Sequence, residues 1–221
     1  KFRGAYHPPA PAAGGYQRFE AWLNEWIEPD DIAAQRFVDS PLVNPTMLVR
    51  RSVLESGQTY QTPEWAEDYD LWLRLMEKGH RFAKHPEVLF HWSDHPSRIT
   101  RNEDVYSQEA FQRCKAHYLS RLPFVQTRGV EIAGAGPGGK RMARFLKTKN
   151  ITVHAFYDVH PRRVGQSLNG IPIHGNEDWS SAKPNGPILL GAVGQKGKRP
   201  LISNLAEERG YILGENFFPV A

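Results

Sequence analysis

The chain has 221 residues, 40% of them hydrophobic and 24% charged, with a formal net charge of +4. These values are typical of a globular protein with one or two domains, and no apolar run approaches the roughly 20 residues of a membrane span. The 28 basic residues are scattered and balanced by 24 acidic ones, which argues against nucleic-acid binding. The single cysteine, Cys114, cannot form an internal disulfide, so we expect a cytoplasmic protein.

The beginning of the chain is predicted to be mostly helical. Hydrophobic residues recur at helical spacing over 16–27, and Pro29 then permits a second short helix, because proline suits a first helical turn. A strand is predicted over 46–50. It is followed by a short helix over 53–56, for which Ser52 is the expected N-terminal cap.

The clearest helical pattern begins near Glu67 and ends at Gly79, with apolar residues on one face and charged residues on another. After it, the apolar run 88–90 predicts a buried strand, and the segment 106–119 predicts a further helix. The proline and polar residues of 123–128 are the expected domain boundary.

From residue 129 onward, short apolar runs alternate with glycine turns and helical patterns. The strands are predicted at Val130–Ala133, Val153–Tyr157, Ile188–Leu190 and Phe217–Phe218, and the helices at Lys140–Lys149 and Pro200–Arg209. Alternation of this kind predicts a parallel sheet with covering helices. The expected organisation is α/β, with a first domain over 1–122 and a small Rossmann-like domain over 128–221.

Two adjacent carboxylates, Glu67 and Asp68, stand at the predicted start of the clearest helix. Negative charge there offsets the positive end of the helix dipole, and this is the ordinary explanation for such a pair. The order of the neighbouring motifs favours a second explanation. The stretch Ala66-Glu-Asp-Tyr-Asp-Leu-Trp-Leu-Arg-Leu75 follows Asn44-Pro-Thr46 and precedes Trp92-Ser-Asp-His-Pro-Ser-Arg98. Residues 16–119 resemble the acceptor-side half of family 2 glycosyltransferases of the GT-A fold.

The resemblance implies an inverting sugar transfer in which Asp68 is the catalytic base and Glu67 its neighbour. The substrates would be a nucleotide-sugar donor and a glycan or lipid-linked acceptor. The resemblance also places His95 and Arg98 in a loop that contacts the donor phosphates. A histidine or arginine in a polar loop can equally be solvated, and Ser93 stands where related sequences commonly carry an arginine.

GT-A enzymes carry a metal-binding Asp-x-Asp motif upstream of their acceptor half. The only such triplet in this region, Asp68-Tyr-Asp70, belongs to the helix start described above. We therefore expect Mg or Mn to act in the full enzyme, with no metal ligand identified in this chain. We also expect that the chain is a C-terminal portion of a longer enzyme and does not transfer sugar alone.

A glycine-rich loop follows the strand predicted at 130–133. Gly134, Gly136 and Gly139 fit the G-x-G-x-x-G pattern, and Asp158 ends the next predicted strand. Such a loop brings the amides at a helix start close to a phosphate, and Asp158 would then bind a ribose hydroxyl. The alternative is that the glycines only let the strand and helix pack closely, so the ligand, NAD or another nucleotide, stays open.

A second loop, after the strand at 188–190, carries Lys196, Lys198 and Arg199. These residues would help to hold an anion or would form a solvated charge run. Two other functions therefore compete with the transferase: a nucleotide-binding or scaffold module that works through the glycine-rich loop, and an NAD-dependent oxidoreductase. The second is disfavoured, because no catalytic proton donor can be named.

Overall fold

The computed structural model describes residues 14–91, 102–179, 181–195 and 197–221. These residues fall into two compact units, of which unit 1 lies within 1–36 and 40–111, and unit 2 comprises 37–39 and 112–221. The units are defined by proximity in space. The expected domain limits, 1–122 and 128–221, stay a prediction about which segments fold independently.

Unit 1 is built from helices. They are α1 (Gly14–Glu25), α2 (Pro29–Ala34), α3 (Arg51–Glu55), α4 (Glu67–Glu77) and the first turn of α5 (Gln108–Leu119), together with 3₁₀ turns at Asn44–Thr46 and Asp104–Tyr106. The apolar face of α4 forms a core with Leu42, and Phe82 packs against it. Gly79 lies just beyond the helix with a φ of +84°, as expected for a residue that ends one.

Two strands predicted in unit 1 are wrong. Thr46 closes a 3₁₀ turn by donating its hydroxyl to the carbonyl of Val43 at 2.6 Å, and Leu48 is 98% exposed, so the segment 46–50 has no sheet to join. Over 88–90 the chain also forms no strand, and Leu89 is 70% exposed. Apolar runs of this length fit either a strand or a loop that covers a core.

The predicted capping role of Ser52 is also wrong. Helix α3 begins at Arg51, so Ser52 lies inside it, and its N-cap is Arg50, which makes no side-chain capping bond. The hydroxyl of Ser52 therefore cannot satisfy an amide at the start of the helix. The helices predicted over 16–27, after Pro29, from Glu67 and over 106–119 are confirmed with shifts of a few residues at their ends.

Unit 2 contains a six-stranded sheet, and the expected α/β class is confirmed. Its elements are α5, α6 (Pro123–Arg128), β1 (Val130–Ala133), α7 (Pro137–Thr148), β2 (Val153–Tyr157), β3 (Ser167–Leu168), β4 (Ile171–His174), a 3₁₀ turn at Asn176–Asp178, β5 (Ile188–Gly191), α8 (Arg199–Glu208) and β6 (Phe217–Pro219). The segment 123–128, expected as a linker, is helical because Pro123 starts α6 and Val125 is buried.

The strands lie in the order β3-β4-β2-β1-β5-β6, and all neighbouring pairs are parallel except β3 with β4. The chain runs from β1 to β2 on one side and later returns to β5 on the other. The loops that follow β1 and β5 therefore diverge at the carboxyl edge of the sheet. In open α/β sheets this switch point is where ligands bind.

The hairpin of β3 and β4 was missed at the sequence level, although a signal for it exists. Asn169 and Gly170 connect the two strands with φ values of +52° and +82°. Positive φ at both central residues is the property of the tight turns that Asn-Gly favours in hairpins. Over the described parts of the chain, no helix has both the length and the apolar composition needed to span a membrane.

Candidate functional sites

The first turn of α4 holds the predicted carboxylate pair. Glu67 and Asp68 are both partly buried. The Oδ1 atom of Asp68 accepts a hydrogen bond from the backbone N–H of Tyr69 at 2.7 Å, and Oε2 of Glu67 accepts one from the hydroxyl of Tyr106 at 2.8 Å. Both carboxylates thus lie at the positive end of the helix, where negative charge is stabilised.

Tyr60 joins this pair to the segment around Asn44. Its hydroxyl donates to Oδ1 of Asn44. Burial raises the pKa of Tyr60, and the negative charges of Asp68 and Glu67 raise it further. Asn44, in the segment 44–46, is therefore bonded to a tyrosine that lies within electrostatic range of the carboxylates in the segment 66–75.

Tyr106 is held in the same electrostatic environment. Burial raises its pKa, and the hydrogen bond to Glu67 and the charge of Asp68 add to the effect. Tyr106 therefore stays protonated and remains a hydrogen-bond donor to Glu67 at any pH near neutrality. Neither tyrosine was predicted as a site residue. Tyr60 lies between the motifs 44–46 and 66–75, and Tyr106 follows the motif 92–98, so no motif contains either.

Asp70 differs from the two carboxylates before it. It is 4% exposed, and its oxygens accept hydrogen bonds from Nε1 of Trp65 at 2.9 Å and from Nε of Arg74 at 3.3 Å. Its neighbour Tyr69 stacks on Phe111, with ring centroids 5.3 Å apart. These contacts fix the start of α4, so that Asp70 supports the helix while Glu67 and Asp68 reach the surface.

In unit 1 a carboxylate pair lies at a helix start with the hydroxyl of Tyr106 bonded to Glu67, an arrangement of acceptors that can bind a polyol and take a proton from it. In the described chain no group of three or more His, Cys, Asp and Glu residues could hold a metal ion. The residues of this site do not fit a metal centre. The predicted donor-binding residues His95 and Arg98 lie outside the described residues.

In unit 2, two glycines of the loop after β1 are required by the fold itself. Gly134 has a φ of +110°, and a Cβ there would lie 2.8 Å from Cγ2 of Val193. A Cβ on Gly139 would overlap the carbonyl oxygen of Gly134. These two positions fit the explanation that the glycines allow close packing of strand and helix.

Gly136 does not fit that explanation. It is the N-cap of α7 with φ −76° and ψ −173°, a conformation that any residue adopts. A Cβ there would have only Nη1 of Arg163 nearby, at 4.0 Å. Neither backbone strain nor crowding requires a glycine here, and the position is open to the close approach of another molecule.

Helix α7 begins beside this position with unpaired amides. Among the residues that the structure describes, the N–H groups of Gly136, Gly138 and Gly139 have no hydrogen-bond partner. They lie at the carboxyl edge of the sheet, next to the loop that follows β5. Free amides at the start of a helix of 12 residues form an anion site, because the helix dipole adds to their positive charge.

Asp158, the predicted ribose-binding residue, follows β2 and is buried. Its Oδ2 atom accepts hydrogen bonds from the N–H of Ala135 at 2.8 Å and from Nη1 of Arg163 at 2.9 Å, and Oδ1 accepts one from the N–H of His160 at 2.8 Å. Burial alone would raise the pKa of Asp158, but these hydrogen bonds outweigh it and the net shift is downward. Asp158 is therefore ionised at neutral pH and bound to the loop.

Two further residues at this site were missed at the sequence level. Arg163 lies over Gly136, as described above. Gln112, on α5, is 4% exposed; its Oε1 atom has no partner among the described groups, and its Nε2 lies 3.9 Å from the position of a Cβ on Gly138. Only the sheet topology brings these residues to the loop, so no local sequence pattern reveals them.

The basic residues after β5 have different surroundings. Arg199 donates from Nε to the backbone oxygen of Ala221 at 2.6 Å, which ties it to the segment that follows β6. Lys198 precedes α8 and is exposed, and Lys196 lies outside the described residues.

Comparison with known proteins assigns no family. No family model matches the chain, and no curated protein matches it. Among solved structures, the crystal structure of RSP, a Rex-family repressor, is similar with a TM-score of 0.33 and 12% sequence identity. The match covers 49% of this chain and 59% of that one.

Proposed function

We propose that this chain is part of an inverting glycosyltransferase with a GT-A-like acceptor region in unit 1 and a Rossmann-like unit 2. It moves a sugar from a nucleotide-sugar donor to a glycan or lipid-linked acceptor in the cytoplasm. The observation that carries the proposal is the hydrogen bond from Tyr60 to Asn44, close enough to Glu67 and Asp68 for their charges to raise the pKa of Tyr60, which relates the segments 44–46 and 66–75. These are the segments on which the family resemblance rests.

Asp68 acts as the base. It takes the proton of the acceptor hydroxyl as that oxygen forms a bond to the anomeric carbon, and the nucleoside diphosphate leaves from the opposite face with the bonding electrons. Glu67 is held by Tyr106 and orients the acceptor through its remaining oxygen. Mg or Mn and the residues His95 and Arg98 remain expectations for the donor side of the full enzyme.

The experiment that tests this function is the stereochemistry of the transfer. The transferase that contains this chain is incubated with nucleotide sugars, each in turn, and the anomeric configuration of the product is read by NMR. A product whose anomeric configuration is opposite to that of the donor supports an inverting mechanism with one base. A product with retained configuration, or no transfer from any nucleotide sugar, contradicts it.

A second function, phosphate or nucleotide binding by unit 2, is favoured by one specific observation. Gly136 leaves open space over the free amides at the start of α7, although neither its φ nor its neighbours require a glycine. This is the arrangement in which a backbone approaches a pyrophosphate. The ligand class is a nucleoside diphosphate, which is also the leaving group of the proposed transfer.

Calorimetry with UDP, GDP and NAD tests this second function on wild-type protein and on Gly136→Ala. The added methyl group fits the fold but occupies the space of the ligand, so we expect binding to weaken by about 10-fold or more while the unfolding midpoint is unchanged. Equal affinity of the two proteins would place the ligand elsewhere.

A further inference from the structure

Asp158, Arg163 and Gly136 form one continuous arrangement above the loop. We propose that Arg163 is the side chain that binds phosphate at this site, and that Asp158 positions Arg163 instead of holding a ribose hydroxyl. The inference rests on the proposed binding of a nucleoside diphosphate by unit 2, and it assigns the recognition to the diphosphate portion of that ligand.

Arg163 has the geometry of a phosphate-binding side chain. Its Nη1 atom lies 4.0 Å from the position of a Cβ on Gly136, so the guanidinium stands directly over the N-cap of α7. The side chain is 38% exposed, and within the described structure its only side-chain hydrogen bond goes to Asp158. A guanidinium has five N–H donors in a planar fork, which leaves several for two phosphate oxygens.

Asp158 is poorly placed to hold a ribose. Its side chain is 6% exposed, and three donors already surround it: two backbone N–H groups and Arg163. A ribose diol bonded to this carboxylate would have to displace the Arg163 ion pair or enter the enclosed side. The carboxylate instead fixes the loop through Ala135 and orients the fork of Arg163.

Gln112 supplies an independent sign that the site takes a ligand. It is more than nine-tenths buried, its carboxamide reaches the first turn of α7, and its Oε1 atom lacks a partner among the described groups. An unpaired buried amide costs free energy unless something binds it. Its Nε2, the end that lies toward Gly138, can donate to a phosphate oxygen there, and a hydroxyl of the ligand would satisfy Oε1.

The charges in the site select the ligand class. Asp158 is neutralised by Arg163, and the amides of α7 add the positive potential of a helix start, so the open face of the site attracts anions. A diphosphate has enough oxygens to accept from the backbone amides and from the guanidinium together. The site is thus expected to bind inorganic pyrophosphate as well as UDP.

The test compares calorimetric affinities for inorganic pyrophosphate and UDP. We expect Arg163→Gln to weaken both by about 10- to 100-fold, because it removes a charge-assisted bidentate contact. The matched control is Arg162→Gln, which removes the same charge from the adjacent, exposed residue and should change neither affinity by more than about twofold. Unchanged binding by Arg163→Gln would overturn the inference and leave the binding function standing.

Asp158→Asn separates the two roles of the carboxylate. A positioning role predicts the same loss for pyrophosphate and UDP, and no further loss when Arg163→Gln is already present. A ribose-binding role predicts a loss for UDP alone, which would overturn the inference. If Asp158→Asn does not fold, the result for Arg163→Gln still decides, and a wild-type protein that binds neither probe would refute the binding function together with the inference.

Discussion

The two candidate sites are built by different means. In unit 2 the backbone builds the site: parallel strands end at one edge, and Gly134 and Gly139 let α7 start against them. In unit 1 side chains build it: tyrosines at positions 60 and 106 surround the carboxylates at the start of α4. A site made by backbone depends on conformation at single residues, whereas a site made by side chains depends on individual hydrogen bonds.

The aspartates of the two sites show the same contrast. Asp68 is partly exposed at a helix start, while Asp158 is enclosed by three hydrogen-bond donors of its own unit. Both follow a recognisable motif, and motif position alone would give each a role in binding or catalysis. The difference in burial separates a carboxylate that a substrate can reach from one that supports its neighbours.

Gly139→Ala is the strongest test of the claim that the site in unit 2 depends on backbone conformation at single residues. The new methyl group would overlap the carbonyl oxygen of Gly134, so α7 must move away from β1. We expect unit 2 to lose more than about 3 kcal/mol of its free energy of unfolding, measured by urea denaturation. Gly136→Ala is the matched control, with an expected change within about 0.5 kcal/mol; similar losses for both would remove the distinction between the two glycines.

A pH dependence of stability tests the interior of unit 2. Lys115 is buried, donates from Nζ to the carbonyls of Val38 and Val220, and burial lowers its pKa from 10.5 to about 8. Asp39 and Cys114 raise the pKa of Lys115 and Arg199 lowers it, and each of these effects is smaller than the effect of burial. Between pH 8 and pH 10.5 the lysine is protonated in the unfolded state and largely neutral in the folded state. The unfolded state therefore binds more protons, and the free energy of unfolding rises with pH.

We expect Lys115 to raise the free energy of unfolding by on the order of 1–3 kcal/mol from pH 8 to pH 10, and Lys115→Met to remove that contribution. Lys84→Met is the counterpart in unit 1 and should remove a contribution of its own, since burial also lowers the pKa of Lys84 to about 8. Denaturation at a series of pH values measures both. An unchanged slope in Lys115→Met would show that Lys115 contributes nothing to it.

Tyr106→Phe tests the side-chain construction of the site in unit 1. It removes the donor to Glu67 and nothing else, so we expect a loss of about 1 kcal/mol in the free energy of unfolding. Tyr60→Phe should cost less, because its acceptor, Asn44, is uncharged and Tyr60 is 49% exposed. A larger loss for Tyr60→Phe than for Tyr106→Phe would mean that Tyr106 does not stabilise Glu67.

The smallest expected effect comes from Ser52→Ala. Since Arg50 precedes the first residue of α3 and Ser52 lies within the helix, the hydroxyl caps nothing. The free energy of unfolding should change by less than about 0.5 kcal/mol, against about 1 kcal/mol for the loss of a true cap. A loss of that larger size would restore the capping role.

The sequence predicts unit 2 better than unit 1 for a physical reason. Buried parallel strands are continuous apolar runs, so β1 and β2 were located to the residue. In unit 1 the apolar runs 46–50 and 88–90 form no strand, and a short apolar run carries no information about whether a partner strand exists. The glycine-rich loop and the Glu67–Asp68 pair were found because each lies within a local motif.

The partners of these motifs could not be found in the same way. Arg163 and Gln112 lie 27 and 24 positions from Gly136 in the chain. Tyr106 is 39 positions from Glu67, to which it donates. Such pairs depend on tertiary packing. The hairpin at Asn169 and Gly170 is the exception, because its turn signal was present in the sequence.

The central claim, that Asp68 is the base of an inverting sugar transfer, is tested most directly by the transfer rate of Asp68→Asn in the transferase that contains this chain. The amide keeps the size of the side chain and an oxygen that accepts from Tyr69, but it cannot take a proton. We predict that kcat falls by a factor on the order of 10² to 10⁴, while Glu77→Gln, at the exposed far end of α4, leaves it unchanged. A wild-type rate for Asp68→Asn would contradict the assignment.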